Sequence, residues 1–430
     1  MRMIAYRGAA YRRWLASLPR ASSPRAVLVR RAERVVRAVR RDGDSALVRF
    51  SERFDGVRLR PGRLRVSPAE IRRLAERADP AVVEALGRTA RRIEAFHRRQ
   101  LAAGFELRAA DGSVLEERVL PLASAGLYVP GGRGAYPSSV LMGAIPARVA
   151  GVRRLVIVTP PRTLESNPAV AAAIAVAGAG EHVYRVGGAQ AIAALAYGTR
   201  TIPAVDKIVG PGNAWVAAAK RLVRGHVEID SEAGPSEVVI LADDTADAGH
   251  VSADLLAQAE HGSGDETVVL VTPSRVLAAE VVRLVAEGRS SVANRASTRR
   301  ALARHAAAIL VRDLVEGVSV VNRLAPEHAS VVTRGAARVA RQVVAGSVFV
   351  GRWSPVAAGD YGIGPNHVLP TGGTARFASP LSVRDFQRRQ SVVTLSRAGL
   401  ARATEDIVRV AMAEGFPGHA QSVLTRFEAE

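Results

Sequence analysis

Short runs of β-branched and aliphatic residues alternate along this chain with segments whose apolar residues recur every three or four positions. Buried strands are predicted by runs such as 155–159, 238–241 and 267–271. Helices are predicted between such runs, for example a small-residue helix over 169–178 and another over 214–222. This repeated alternation of strand and helix predicts an α/β fold built on parallel sheets.

The two ends of the chain depart from this pattern. Residues 1–24 are rich in arginine, and 19–24 have the composition of a linker, so we expect a small N-terminal docking arm. Residues 26–54 and 80–100 have the periodicity of amphipathic helices with polar, Arg-rich faces. The segment 386–430 is too short to bury a core of its own, so we expect it to dock on a larger body.

Composition sets limits on the class of protein. A chain of 430 residues that is 48% hydrophobic is long enough for at least two domains with ordinary buried cores. Its longest apolar stretch, 168–180, is shorter than a membrane span requires, and the first residues lack the apolar segment of a signal peptide. We therefore expect a cytoplasmic protein without a membrane partner. Because the chain has no cysteine, any metal must be held by nitrogen and oxygen.

The formal net charge of +20 raises nucleic acid as a possible partner. However, 58 of the 60 basic residues are arginine, spread over every segment, and aromatic residues make up only 4% of the chain. A nucleic-acid footprint would gather its cations in one stripe and offer aromatic stacking platforms. We therefore expect no nucleic-acid partner. A continuous groove of arginines in the fold would instead favour a protein that binds nucleic acid.

Glycine-rich loops follow several of the predicted strands, at 125–132, 187–190 and 207–213. Loops at the carboxyl ends of strands are where open α/β sheets bind ligands, although ordinary turns have the same composition. The stretch 178–180, Gly-Ala-Gly, is a poor dinucleotide fingerprint because it lacks the third glycine and follows a predicted helix. If NAD binds here, it binds in another way.

Gln258 and His261 are candidates for half of a metal site. Their spacing of three puts an amide oxygen and an imidazole nitrogen on one helix face, one turn apart. A bare Gln-x-x-His is ordinarily a surface pair. Here, however, it follows a Gly-Pro turn at 234–235, and Ser236 stands at the entrance of a predicted strand, where a hydroxyl can meet a ligand.

Two later loops are candidates for acid–base chemistry. Glu327 and His328 are adjacent, and an imidazole that titrates near neutrality is the commonest general base. Asp360 lies between glycines in the aperiodic stretch 358–373, which can hold a carboxylate in one geometry. The structural alternatives are a solvated pair for Glu327 and His328 and an Asx-turn for Asp360. We expect His367 to be a structural histidine.

Long motifs in this chain resemble those of the histidinol dehydrogenase family. The signature is Asp-x-x-Ala-Gly-Pro-Ser-Glu at 230–237 with Gln-Ala-Glu-His at 258–261. The resemblance extends from the motifs at 42–47 and 54–57 to the Glu-x-x-x-x-His at 414–419. Members of this family are zinc enzymes that oxidise L-histidinol through the aldehyde to L-histidine while reducing two NAD. The resemblance covers nearly the whole chain.

The resemblance implies four groups of site residues. The implied zinc ligands are Gln258, His261, Asp360 and His419. The implied acid–base pair is Glu327 and His328. The residues implied for substrate binding are Ser236, Gln258, His261, His328, Asp360, Glu414 and His419. Those implied for the NAD site are Tyr128, Gln190 and Asn213, all in the glycine-rich loops.

Together with the strand pattern, the resemblance implies two incomplete Rossmann-like parallel-sheet domains with small helical N- and C-terminal segments. We expect 25–124 and 239–380 to form the first domain, with most of the zinc site, and 125–238 to form the second, with the NAD loops. The resemblance also implies a homodimer in which the segment 381–430 completes the site of the partner subunit.

The chain departs from the family pattern at two places. Trp215 stands where relatives usually have tyrosine, and Gly262-Ser263-Gly264 replaces the Asp-Pro that often follows the histidine. The second change adjoins the implied zinc site. It leaves open a zinc- and NAD-dependent paralogue that oxidises another primary alcohol.

Overall fold

The computed structural model describes residues 1–19, 26–131, 136–289 and 291–428. Two compact units make up the chain: Met1–Gln100 with Leu122–Phe386, and Leu101–Pro121 with Gln387–Glu430. The linker predicted over 19–24 lies outside the described residues except for Pro19, and so does Gly132 at the end of the first glycine-rich loop.

The strands within the described residues are, in chain order, β1 (Arg2–Ala5), β2 (Arg65–Val66), β3 (Phe105–Arg108), β4 (Val114–Pro121), β5 (Ser124–Tyr128), β6 (Arg154–Thr159), β7 (His182–Arg185), β8 (Lys207–Val209), β9 (Glu228–Ile229), β10 (Glu237–Ala242), β11 (Thr267–Thr272), β12 (Ala306–Leu310), β13 (His328–Val332), β14 (Ser347–Val350) and β15 (Gln387–Thr394).

The α-helices are α1 (Ala9–Ser17), α2 (Ala26–Asp42), α3 (Asp44–Phe50), α4 (Pro68–Ala75), α5 (Pro80–Arg98), α6 (Pro137–Ala150), α7 (Thr163–Ser166), α8 (Pro168–Val176), α9 (Gly188–Tyr197), α10 (Ala214–Val223), α11 (Ala248–Ala259), α12 (Arg275–Gly288), α13 (Arg295–Arg304), α14 (Leu314–Leu324), α15 (Ala336–Ala340), α16 (Val356–Asp360), α17 (Arg397–Ala413) and α18 (Pro417–Glu428). A π-helical turn spans Ser51–Asp55, and short 3-10 turns span Pro61–Arg63, Thr374–Arg376 and Val383–Phe386. Among the described residues, no helix has the length and apolar content needed to cross a bilayer.

One sheet of the first unit, sheet A, has six parallel strands in the order β1-β12-β11-β10-β13-β14. Every residue of β10 and β11 is buried, as expected for a parallel sheet covered on both faces. Val238 and Ile240 pack under α11, α12 and α13, whereas Val239 and Leu241 pack under α1, α14 and α15. The strand alternation thus divides the apolar residues between two layers of helices.

The other sheet of this unit, sheet B, has the order β2-β7-β6-β5-β8-β9 and is parallel except for β2 at one edge. Helices α4, α5, α6 and α8 cover one face, and α2, α3, α9 and α10 cover the other. These two parallel sheets with helices on both faces confirm the predicted α/β class.

Helices α2 to α5 pack on a different sheet from the one expected. The sequence grouped 25–124 with 239–380, but α2 buries Val36 and Val39 against Ile192 and Leu195, beneath sheet B. Helices α4 and α5 pack on the opposite face of the same sheet. Periodicity shows that these helices have an apolar face, but it cannot show which sheet buries that face.

The chain termini also differ from the expected segments. The N-terminal arm contributes β1, an edge strand of sheet A, and α1, whose Tyr11 is buried in that sheet's core. In the second unit, β15 pairs antiparallel with β4, and β4 with β3, beside the packed helices α17 and α18. The strand 387–394 was not predicted because its side chains are mostly polar and exposed, so it lacks an apolar period.

Candidate active site

A cavity of about 800 Å³ in the first unit contains six of the predicted site residues. This volume is in the range of small-molecule sites. Its lining comes from α5, the start of α6 and the loop after β8 on the side of sheet B, from α11 and the loop before β13 on the side of sheet A, and from the loop that connects β9 to β10. The predicted residues that line it are Ser236, Gln258, His261, Glu327, His328 and Asp360.

Chain direction explains why these residues meet. Helix α11 follows β10, so in a parallel sheet it returns toward the edge at which strands begin. Gln258, in its last turn, and His261 therefore reach the amino edge of sheet A. His328 begins β13 at the same edge and lies in register with Val238 of β10. Sheet A thus presents its amino edge to the cavity, while sheet B presents loops that follow its strands.

The Glu327 carboxylate is held in one orientation. Its Oε2 accepts hydrogen bonds from Ser236 Oγ at 2.5 Å and from the main-chain N–H of Glu237 at 2.9 Å. In return, Glu237 Oε2 accepts from the main-chain N–H groups of Glu327 at 3.3 Å and of Gly372 at 3.1 Å. Among the described residues no hydrogen bond reaches Glu327 Oε1, which is therefore the oxygen left for a ligand.

His328 is buried with a defined ring orientation. Its Nδ1 lies 3.1 Å from the main-chain oxygen of Glu237, a contact that favours the tautomer with the hydrogen on Nδ1. That tautomer leaves the Nε2 lone pair free to accept a proton. Nε2 lies 3.7 Å from Asp360 Oδ1, and Nδ1 lies 3.7 Å from Glu327 Oε2. The predicted acid–base pair is therefore brought together beside Asp360.

The predicted metal ligands of this unit are polar groups with unused bonding capacity. Gln258 is 2% exposed, and its Nε2 has no hydrogen-bond partner among the described residues. His261 Nδ1 lies 3.2 Å from the main-chain oxygen of Gln258, which leaves its Nε2 available as a ligand. Asp360 is oriented through its main-chain oxygen, 2.9 Å from His367 Nδ1.

His367 also has its second ring nitrogen occupied. Its Nε2 lies 3.3 Å from Ser139 Oγ, and burial lowers the pKa of the imidazole. A neutral ring with both nitrogens engaged suits the structural role expected from the sequence.

Three of the four predicted zinc ligands, Gln258, His261 and Asp360, line the cavity. Within the described residues, no group of three or more His, Cys, Asp or Glu side chains is gathered closely enough to hold a metal ion, and Gln258, an amide, is not one of these residue types. The donors in the cavity wall are the nitrogen and oxygen types that zinc accepts.

Glu414 and His419 belong to the second unit. Glu414 follows the last residue of α17, His419 is in the first turn of α18, and both side chains are exposed. The His419 ring stacks on Phe416, with centroids 5.1 Å apart.

The residues predicted for NAD lie at or beyond the carboxyl ends of β5, β7 and β8 of sheet B. Tyr128 ends β5, its hydroxyl accepts a hydrogen bond from the Gly188 N–H at 3.1 Å, and burial raises its pKa to about 12. Gln190 is 2% exposed, with an unpartnered Nε2 among the described residues. Asn213 is the N-cap of α10, and its Oδ1 accepts hydrogen bonds from the main-chain N–H groups of Trp215 and Val216.

A buried ion pair that the sequence did not reveal connects the loops after β8 and β9. Lys220 Nζ lies 2.6 Å from Asp230 Oδ1 and 2.6 Å from the main-chain oxygen of Gly210. Asp230 Oδ2 accepts from the Gly210 N–H at 2.7 Å. Gly210 has φ +108°, and a Cβ there would lie 2.3 Å from the main-chain oxygen of Tyr128. The pair thus fixes Gly210 through both of its main-chain polar groups.

Sequence reasoning also missed two acidic residues near the site, Glu237 and Asp254. Asp254 lines the cavity one helical turn before Gln258, and burial raises its pKa to about 6. Its spacing of four from Gln258 was the available signal. Glu237 ends the motif at 230–237, but its contact with Glu327 joins distant parts of the chain and had no sequence signal.

Comparison with known proteins identifies the family of the chain. The sequence profile described as histidinol dehydrogenase matches residues 18–427. The histidinol dehydrogenase of Synechococcus sp. is 47% identical over 394 residues, covering 91% of this chain and 90% of that protein. That of Halalkalibacterium halodurans is 45% identical over 401 residues, covering 92% of this chain and 93% of that protein.

A solved structure supports the same relationship. The crystal structure of histidinol dehydrogenase from Elizabethkingia anophelis matches with a TM-score of 0.91 at 31% sequence identity, covering 100% of this chain and 98% of that chain. Similarity of this extent in both sequence and fold shows that the chain belongs to the histidinol dehydrogenase family.

Proposed function

We propose that this protein oxidises L-histidinol through L-histidinal to L-histidine, the last steps of histidine biosynthesis, with zinc bound and two NAD reduced. The observation that carries the proposal is the acid–base pair in the cavity wall: the Glu327 carboxylate, held through one oxygen, beside the oriented ring of His328. Family membership supports histidinol as the substrate.

In the first oxidation, the alcohol loses its hydroxyl proton and passes a hydride to NAD. His328 Nε2 is suited to take that proton, because Nδ1 is engaged with the Glu237 carbonyl and the Nε2 lone pair is left free.

The second oxidation requires water. Glu327 Oε1 would accept a proton from the water that attacks the aldehyde carbon, which gives the monoanion of the aldehyde hydrate. His328, after releasing the first proton to solvent, would accept the remaining hydroxyl proton, and a second NAD, when bound, would accept the hydride, so that the carboxylate product results. The proposed division of labour rests on geometry, since one group is a carboxyl held through one oxygen and the other a ring held through Nδ1.

Gln258, His261 and Asp360 would hold the zinc ion, with His419 of the partner subunit as fourth ligand. An unpartnered buried amide and an imidazole whose Nδ1 is already engaged fit such an ion. Bound zinc would supply Lewis-acid polarisation and anchor the substrate. Two further substrate contacts are proposed. One is Ser236 of the same chain, and the other is Glu414 of the partner subunit.

The proposed NAD site is formed by Tyr128, Gln190 and Asn213. Tyr128 accepts from the Gly188 N–H at the start of α9, and Gln190 lies in the first turn of that helix, an end at which a phosphate is favoured. The unpartnered Nε2 of Gln190 is a donor that a ligand would satisfy.

The stoichiometry of NADH tests the proposed reaction. Complete turnover of L-histidinol should yield two NADH per alcohol, measured by absorbance, with little free aldehyde trapped by a carbonyl reagent. The physical reason is that one site holds the aldehyde until water has been added. One NADH per alcohol, or preference for another primary alcohol, would favour the paralogue instead.

We also propose a cytoplasmic homodimer with shared sites and without a nucleic-acid or membrane partner. Each site would use Gln258, His261 and Asp360 from one chain with Glu414 and His419 of the partner subunit. The exposure of these last two side chains supports this arrangement.

Mixing inactive variants tests site sharing. The variants His261→Ala and His419→Ala should each be inactive. When the two proteins are unfolded, mixed in equal amounts and refolded, about a quarter of wild-type activity should return, because half of the dimers have one intact site. The matched control, His261→Ala mixed with Asp360→Ala, should stay inactive, since both lesions lie in the same chain's contribution. An inactive first mixture, with refolding of the wild-type protein verified in parallel, would rule out sharing.

A further inference from the structure

Helix α11 presents a third polar residue to the cavity besides Gln258 and the nearby His261. All three residues line the cavity; Asp254 and Gln258, four apart in α11, lie on one helix face, and His261 follows the end of the helix. Side chains four apart on a helix have Cβ atoms about 5–6 Å from each other, within reach of a side-chain hydrogen bond. Asp254 is therefore placed to contact Gln258.

Both side chains lack the partner that the other could supply. Gln258 Nε2 is buried without a hydrogen bond among the described residues, although an amide nitrogen has two hydrogens to donate. No hydrogen bond from another described residue reaches the Asp254 carboxylate, which is partly buried and whose pKa is raised by that burial. One is an unused donor and the other an unused acceptor.

We propose that Asp254 is a positioning residue for the zinc ligand Gln258, whose Nε2 donates to the Asp254 carboxylate when its Oε1 faces the metal. This inference rests on the proposed zinc site. An amide that ligates through oxygen must direct its nitrogen elsewhere, and an acceptor at that nitrogen both selects the orientation and increases electron density on the oxygen. Asp254 itself does not bind the ion.

The test is zinc affinity, measured on the full-length apo protein by competition with a chromophoric chelator. Asp254→Leu should weaken zinc binding by about 10–100-fold, the usual effect of removing a group that orients a ligand. Asp254→Asn keeps an acceptor oxygen and should retain affinity within about fivefold, because a neutral hydrogen bond is weaker than a charge-assisted one. Asp244→Asn, which removes an exposed carboxylate before the same helix, should have no effect.

A double-mutant cycle separates positioning from general effects. In a Gln258→Met background, Asp254→Leu should have little further effect on zinc affinity, because the amide that it orients is gone. A structural defect or a long-range charge effect would reduce affinity by the same factor in both backgrounds, and that result would overturn the inference. Unchanged zinc affinity in Asp254→Leu would also overturn it. If the unsubstituted protein binds no zinc, that result would contradict the proposed zinc site and, with it, this inference.

Discussion

Replacing Glu327 by glutamine is expected to separate the two oxidations. The amide keeps the shape of the side chain but cannot accept a proton from water, so aldehyde oxidation should fall by about 10²–10⁴-fold, the usual contribution of a general base. Alcohol oxidation should be largely retained, because His328 and its contact with the Glu237 carbonyl remain. Each step is measured separately by NADH formation from L-histidinol and from L-histidinal.

His328→Ala is the comparison that completes this experiment. Each hydride transfer requires removal of a hydroxyl proton, so both steps should fall by about 10²–10⁴-fold. His226→Ala, a change of an exposed histidine stacked on Tyr197, should leave both rates unchanged. Equal loss of the two steps in Glu327→Gln would contradict the proposed division between the carboxylate and the imidazole.

Replacing Lys220 by methionine is expected to cause a large loss of stability. The Lys220 and Asp230 side chains are only 2% and 4% exposed, so removal of the cation leaves a buried, uncompensated carboxylate. Breaking such a pair costs about 3–5 kcal/mol of the free energy of unfolding. The shift should appear in urea unfolding followed by circular dichroism at a fixed protein concentration.

Two variants test the cause of that loss. Lys220→Met combined with Asp230→Asn should recover part of it, because the buried charge is removed while an acceptor for the Gly210 N–H is kept. Arg283→Met breaks a pair whose side chains are about half exposed and should cost only about 0–1 kcal/mol. Equal losses of unfolding free energy in Lys220→Met and Arg283→Met would show that the buried Lys220 pair stabilises the fold no more than an exposed pair does.

Local sequence determined the elements of the fold and the identity of several site residues. The apolar runs 238–241 and 267–271 form two of the strands of sheet A. Both strands are buried on both faces, as continuous aliphatic runs predict. Gln258 and His261 both line the cavity, but only Gln258 lies in α11; the helix ends at Ala259, so helix spacing placed Gln258 and not His261. Such features depend on periods of two or 3.6 residues, which neighbouring positions set without reference to the rest of the chain.

Only the tertiary structure decided which surfaces meet. Helices α2, α4 and α5 pack on sheet B rather than sheet A, and β15 pairs with β4. The sequence did not reveal these partners, because several apolar faces could cover each sheet and the local pattern does not show which one does. The hydrogen bond from Ser236 to Glu327 and the pair of Lys220 with Asp230 also required the fold to be seen. What the sequence by itself determined are the secondary structure and the chemical groups, which short-range geometry dictates. The partners of those groups depend on long-range packing, which the strand order and the direction of each helix impose.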